Sequence, residues 1–349
     1  MNRTGLARAL ALVAAVVAAM WTYDASAQTV KVTPLGSHTG ELCQHDRALL
    51  FEDPTGVRIL YDVGTAVAGG SDPRLGDVHV VLLSHAHPDH IGDQKASGIN
   101  AGTCGRPETV SAAPNSNTVE IAAAKNAALI VSRAHGNFLA PRIQSIRGVP
   151  PPTCPADGLA REMTVPRSVP CVGPLQLGGK RSVKRAGELA AVQISLVRAD
   201  HSNAAGPNLF TGPAKASLAA DGLAAYVGLA NGYVLVFTNG LRVYLSGDTA
   251  IYGDMKSIIK DFYRVNVAVM NIGAFSMQGE EAAFAVEELI QPAAVIVSHV
   301  DEVATEGGVV RAGTKTKQFI ELVKKSRVHV PRSGHTMEFT GDARCVSGC

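Results

Sequence analysis

The chain has 349 residues, 46% of them hydrophobic and 18% charged, and its formal net charge is +2. That length can bury a large core in one domain. The near-neutral balance argues against a basic nucleic-acid surface, so no nucleic-acid partner is expected.

The first residues stand apart from such a core. Arg3 and Arg8 precede an apolar run from Ala9 to Met20, followed by Ala25-Ser26-Ala27. A basic start, a short apolar stretch and an A-x-A site read as a secretory signal peptide over 1–27, cleaved before Gln28. The run is shorter than the ~20 residues that span a bilayer, which disfavours an uncleaved anchor. Residues 28–349 are then expected to be secreted or periplasmic, with no membrane association after cleavage. All six cysteines, Cys43, Cys104, Cys154, Cys171, Cys345 and Cys349, lie in this part. An even number in an exported chain is consistent with disulfides. Cys154 and Cys171 are the preferred pair; Cys345 and Cys349 either join each other or staple the tail elsewhere.

In chain order, strands are predicted at Val30 to Leu35, Ala48 to Glu52 and Val57 to Asp62, with Asp53-Pro54-Thr55-Gly56 turning between the last two. The apolar run Val78-His79-Val80-Val81-Leu82-Leu83 follows. A less regular stretch, 92–187, reads as an insertion. It carries one helix, Thr118 to Arg133, entered through Asn115-Ser116-Asn117, and a long proline-rich loop around Pro150-Pro151-Pro152. Long ordered loops tend to be functional, so a substrate-shaping role is expected. Strands near Ala225, Tyr233, Leu241, Val265 and Ala293 alternate with helices at about Met255 to Phe262 and Glu280 to Ile290. A last helix, Thr314 to Lys325, places Phe319, Ile320, Leu322 and Val323 on one side. Periodicity alone gives a mixed α/β class.

The most informative segment is Ser84-His85-Ala86-His87-Pro88-Asp89-His90. Strand residues alternate faces and helical ones fan out by about 100°, so no single regular element aims His85, His87, Asp89 and His90 at one point. A strand that ends in a tight loop opening a helix does. Imidazole nitrogen and carboxylate oxygen are the donors that zinc and similar ions prefer.

This H-x-H-x-D-H run resembles the signature of the metallo-β-lactamase superfamily, and the likeness extends from about Lys31 to about Phe339. The family places further donors after later strands. His201 follows Gln193-Ile194-Ser195-Leu196-Val197, Asp248 sits in a Gly-Asp pair after Leu241 to Leu245, and His299 ends Ala294-Val295-Ile296-Val297-Ser298. The resemblance implies a four-layer αββα sandwich and a dinuclear centre for two divalent ions, Zn2+ foremost, with Mn2+ or Fe2+ as alternatives. His85, His87 and His201 would hold one ion and Asp89, His90 and His299 the other. Asp248 and a water or hydroxide would bridge them, and Asp89 would also orient the nucleophile. Asp62 occupies the family's place for a carboxylate behind the metal histidines. Gly36-Ser37-His38 is similar to a turn that reaches the site, making His38 a candidate for outer-shell or substrate contact. His45, His79, His135, His329 and His335 are given no metal role.

The C-terminal half, from Gly232 through Ser246-Gly247-Asp248-Thr249 to Met270-Asn271-Ile272-Gly273, looks like metal-dependent hydrolases related to ascorbate-6-phosphate lactonase. β-Lactamases of this superfamily lack the bridging aspartate, so antibiotic hydrolysis is disfavoured. The expected activity is hydrolysis of a small-molecule ester, a lactone or other carboxylic ester, since no basic cluster marks a phosphate pocket. The alternatives are a phosphodiesterase of the same fold, a mononuclear-iron sulfur dioxygenase and a non-catalytic metal-binding protein. Oligomeric state is not legible.

Overall fold

The computed structural model describes residues 28–273 and 275–349; the expected signal peptide, 1–27, lies outside the described residues. Two eight-stranded sheets form the frame. The first runs in the order Cys171–Leu175, Ala128–Ser132, Val80–Leu82, Arg58–Tyr61, Leu49–Glu52, Val30–Pro34, Met337–Phe339, Cys345–Ser347. The second runs Glu162–Val165, Lys180–Arg185, Val192–Arg198, Asn231–Val236, Arg242–Leu245, Val267–Asn271, Ala294–Ser298, Arg327–His329.

Side chains alternate between the two faces of each strand, and here both faces are buried. Phe51, Ile59, Tyr61, Val80 and Leu82 meet Leu196, Tyr233, Leu235, Val243 and Leu245 in a core between the sheets. The alternate residues Leu50, Leu60 and Val81 pack outward with Val119, Ile121 and Leu139 of the helices Asn117–Ala124 and Arg133–Arg147. On the other side Val234, Tyr244, Met270 and Val295 pack with Met255, Ile259, Val286 and Phe319, from Met255–Phe262, the continuous Gly279–Ile290 and Lys315–Leu322. The layers are therefore helix, sheet, sheet, helix, the four-layer α/β sandwich.

The expected single helix Thr118 to Arg133 is in fact two helices with a strand between them. Ser116 caps the first by accepting the Val119 N–H at 3.3 Å, and Asn126 turns the chain at φ 52° into Ala128–Ser132. A short apolar run has no period that separates strand from helix, and this one is buried on both faces of the first sheet. The stretch 92–187 consequently supplies four strands to the two sheets: Ala128–Ser132, Glu162–Val165, Cys171–Leu175 and Lys180–Arg185. In the last helix Phe319 and Val323 face the core, whereas Leu322 is exposed.

Disulfides join Cys43 to Cys104, Cys154 to Cys171 and Cys345 to Cys349. Among the described residues no helix is long and apolar enough to cross a membrane.

Strand direction places the site. Val192–Arg198 and Arg242–Leu245 are both antiparallel to Asn231–Val236 and so run the same way, as do Val267–Asn271 and Ala294–Ser298. In the first sheet Arg58–Tyr61 and Val80–Leu82 are parallel. Asp62, the 84–90 loop, His201, Asp248 and His299 each follow the carboxyl end of one of these strands, where open α/β sheets gather their ligands.

Candidate active site

After Leu82 the chain leaves its strand, and His87, in extended backbone, opens a one-turn helix Pro88–Ile91 with Pro88 at its first position. Gly92 ends the turn at φ 71°, and a Cβ there would run into the Gly64 carbonyl. Gly247, at φ +60°, approaches Asn231 O and Ser84 so closely that a Cβ would lie 2.8 Å and 2.9 Å from them. Only glycine fits such a position, so Gly247 sets Asp248 against the 84–90 loop.

The structure brings His85, His87, Asp89, His90, His201, Asp248 and His299 together. Their nitrogen and oxygen atoms form three groups within metal-binding reach: His85, His87 and His201; His85, His90 and Asp248; Asp89, His90 and His299. His87 Nδ1 lies 2.9 Å from His85 Nε2 and 3.3 Å from His201 Nε2. His299 Nε2 lies 3.1 Å from Asp89 Oδ2, and His90 Nε2 3.4 Å from it. Asp248 stands between the groups. Its Oδ2 is 3.0 Å from His299 Nε2, 3.8 Å from His201 and 3.9 Å from His85, while Oδ1 is 3.3 Å from His90 Nε2.

Buried polar atoms in proteins almost always have partners. Here His90 Nε2 and Asp248 Oδ1 are buried and face each other without a hydrogen bond among the described residues. Converging, unpaired imidazole and carboxylate atoms are what a divalent cation would satisfy, so the donor set fits metal. The electrostatics agree. Burial pulls His85 well below the ordinary histidine range. Burial also opposes charge on Asp248, but the His90 and His299 imidazoles outweigh it and hold that carboxyl well below the usual range. His299 is pushed up to about 9, against burial and Arg47, chiefly by Asp248. Protons occupy the places that cations would take, so metal binding should release protons.

Asp62 lies behind the histidines. Its Oδ2 is 2.8 Å from His90 Nδ1 and accepts from Ser84 Oγ at 2.7 Å, and its Oδ1 accepts the Ser84 N–H at 2.8 Å. Ser84 Oγ is in turn 2.9 Å from His85 Nδ1. Asp62 and Ser84 thereby hold both Nδ1 atoms, which leaves both Nε2 lone pairs aimed at the site. Asp62→Ala is expected to weaken metal binding about 10–100-fold, read by competition with a chromophoric chelator; an unchanged affinity would remove Asp62 from this role.

His38 is not brought into the cluster: its ring nitrogens face Ser37 Oγ at 3.1 Å and Gly102 O at 3.3 Å. His79 accepts the Arg58 N–H at 3.0 Å and is structural.

Sequence reasoning missed Arg47. Buried in the loop that leads into Leu49–Glu52, it reaches Asp301 at 2.6 Å and Asp89 at 3.2 Å, so it fixes the carboxylate facing His90 and His299. It also missed a support behind the motif. Asn203 Oδ1 accepts the Ala86 N–H at 2.9 Å, and Asn231 N donates to Ser84 O at 2.9 Å. Buried His135 sits between the two amides, 2.7 Å from Asn203 and 3.2 Å from Asn231. A lone arginine beside Asp46 and a histidine after an apolar run were the available signals, and neither names a partner.

A family model described as a beta-lactamase superfamily domain matches residues 44–299. The chain belongs to that superfamily. A UPF0173 metal-dependent hydrolase of Staphylococcus carnosus is 25% identical over 302 residues, covering 86% of this chain and 99% of the relative. One from Koribacter versatilis is 25% identical over 313 residues, covering 88% and 98%. Among solved structures, Igni18, a metallo hydrolase from Ignicoccus hospitalis, superposes with a TM-score of 0.54 at 20% identity, covering 89% of this chain and 98% of that one. This member of the superfamily is a metal-dependent hydrolase.

Proposed function

We propose that the protein is an exported dinuclear hydrolase of small lactones or other carboxylic esters. The observation that carries the reading is the place of Asp248, one carboxylate within 3.0–3.9 Å of imidazoles from both donor groups. His85, His87 and His201 would hold one ion, Asp89, His90 and His299 the other, and Asp248 both. Two bound cations supply Lewis acidity and an acidified shared water.

The chain's own residues give the approach. His85, His90, Asp248 and His299 are buried, whereas His87, Asp89 and His201 are partly open. Substrate then enters from the side of His87, Asp89 and His201. Asp89, with 32% of its side chain exposed, is the residue to orient the attacking group and hold its proton. Arg47 is engaged by Asp89 and Asp301 and offers no free cation to a phosphate, which favours a carbonyl substrate over a phosphodiester.

Metal analysis by mass spectrometry, with turnover of a generic lactone and a generic phosphodiester, tests the proposal. Two zinc or manganese ions per chain and lactone turnover are expected. Phosphodiester turnover alone would move the substrate class, and a single iron would sink the dinuclear hydrolase. His201→Ala is expected to abolish turnover and lower metal occupancy while circular dichroism stays unchanged; undiminished activity would refute the ligand assignment.

A further inference from the structure

Away from the donor cluster, a second set of metal-type donors lies where the two sheets end. A ring nitrogen of His329 and the sulfurs of Cys345 and Cys349 lie within 4.8 Å of one another. We infer that, when the Cys345–Cys349 disulfide is reduced, these three residues form a site for a thiophilic cation, Zn2+ or Cu+, that ties the edges of the two sheets together.

The placement supports this. His329 ends the edge strand of the second sheet, and Cys345 begins the edge strand of the first. His329 Nε2 is shielded from solvent and has no hydrogen-bond partner among the described residues. Its ring stands edge-on to Phe339 at 5.4 Å, and Phe339 pairs in register with Cys345, so the imidazole is held beside the sulfurs. Burial lowers the His329 pKa, which keeps a ring nitrogen unprotonated at neutral pH.

The disulfide is the one suited to opening. It joins residues 4 apart, against 17 and 61 for the others, and Cys349 is exposed while Cys43, Cys154 and Cys171 are buried. A short loop restricts the unfolded chain least, and exposed disulfides are the labile ones. A dithiol reductant would supply two electrons and two protons: the Cys345–Cys349 bond breaks, two thiols form, and the reductant becomes a disulfide. Binding then forms two sulfur–metal bonds and one nitrogen–metal bond and releases both thiol protons. Two thiolates and an imidazole are donors that select zinc or cuprous ion.

Cobalt(II) makes the test specific, because the cluster around Asp248 contains no sulfur. Metal-free protein is titrated with Co2+ before and after mild dithiol treatment. Thiolate-to-cobalt charge-transfer absorption is expected only after reduction, levelling at the intensity of one thiolate-bound cobalt per chain while further cobalt enters the sulfur-free cluster around Asp248. It should vanish in the double variant Cys345→Ser/Cys349→Ser, and affinity should fall at least about tenfold in His329→Ala. It should persist in Asp248→Asn, which separates this site from the proposed active centre, and Zn2+ or Cu+ should displace the cobalt. No absorption after reduction, absorption surviving in the double serine variant, its loss in Asp248→Asn, or failure of both ions to displace cobalt would overturn the assignment.

Discussion

Asp248→Asn is expected to reduce turnover by at least about a thousandfold and to leave the chain holding one metal ion or none. Among the described residues Asp248 is the one carboxylate that reaches His85, His201 and His299 through Oδ2 and His90 through Oδ1. An amide keeps the shape and removes the charge. Two cations held close together repel unless an anion lies between them, and metal assistance contributes several kcal/mol, at a factor of ten for each ~1.4 kcal/mol. The metal-free variant should also change. Asp248 is a main cause of the raised His299 pKa of about 9, so in Asp248→Asn that imidazole should titrate lower. The direct readouts are metal content after dialysis and NMR titration of His299 in chelated protein. Two retained ions with near-normal turnover would refute the bridging role.

What the sequence disclosed, and what it hid, follow from how the site is assembled. His85, His87, Asp89 and His90 were legible because one turn of chain carries all four, and local geometry shows that they converge. His201, Asp248 and His299 are single residues after unremarkable strands; only their order, matched to a family, singled them out. They meet because parallel strands bring their carboxyl ends to one edge, a fact of sheet topology. Helices over Met255–Phe262 and Lys315–Leu322 were readable in the sequence, whereas Arg133–Arg147 and Gly212–Ala220 were not expected, nor was the strand Ala128–Ser132, whose buried apolar run has no period. Arg47 and Asp301 could not be paired in advance, since 254 residues separate them and neither belongs to a motif. The same holds for His135 with Asn203 and Asn231. Polar support of this kind is specified by packing alone, and each partner looks ordinary in its own segment. His38 lies in a family-like turn, and its side chain faces Ser37 and Gly102 rather than the donor cluster.

His135→Gln is expected to flatten the acid side of the stability profile. His135 is fully buried, and burial lowers its pKa from 6.5 to about 4. The unfolded chain therefore binds a proton at this position between those two values and the native protein does not. Stability from the neutral ring is complete above pH 6.5, falls as the pH drops through this window, and is gone below about 4. A shift of this size corresponds to about 3 kcal/mol. Urea unfolding of chelated wild type and His135→Gln should thus give a difference that is largest at neutral pH and shrinks by about that amount near pH 4. Parallel profiles would mean that His135 does not titrate in this way. The effect bears on function because Asn203 and Asn231, on either side of the ring, hold the backbone of Ala86 and Ser84. Protonating His135 would bury a charge against those amides and loosen the loop that carries His85 and His87. Acid should accordingly weaken metal retention more steeply in wild type than in His135→Gln, once affinities are normalised at neutral pH. An identical pH dependence of metal release would confine His135 to packing.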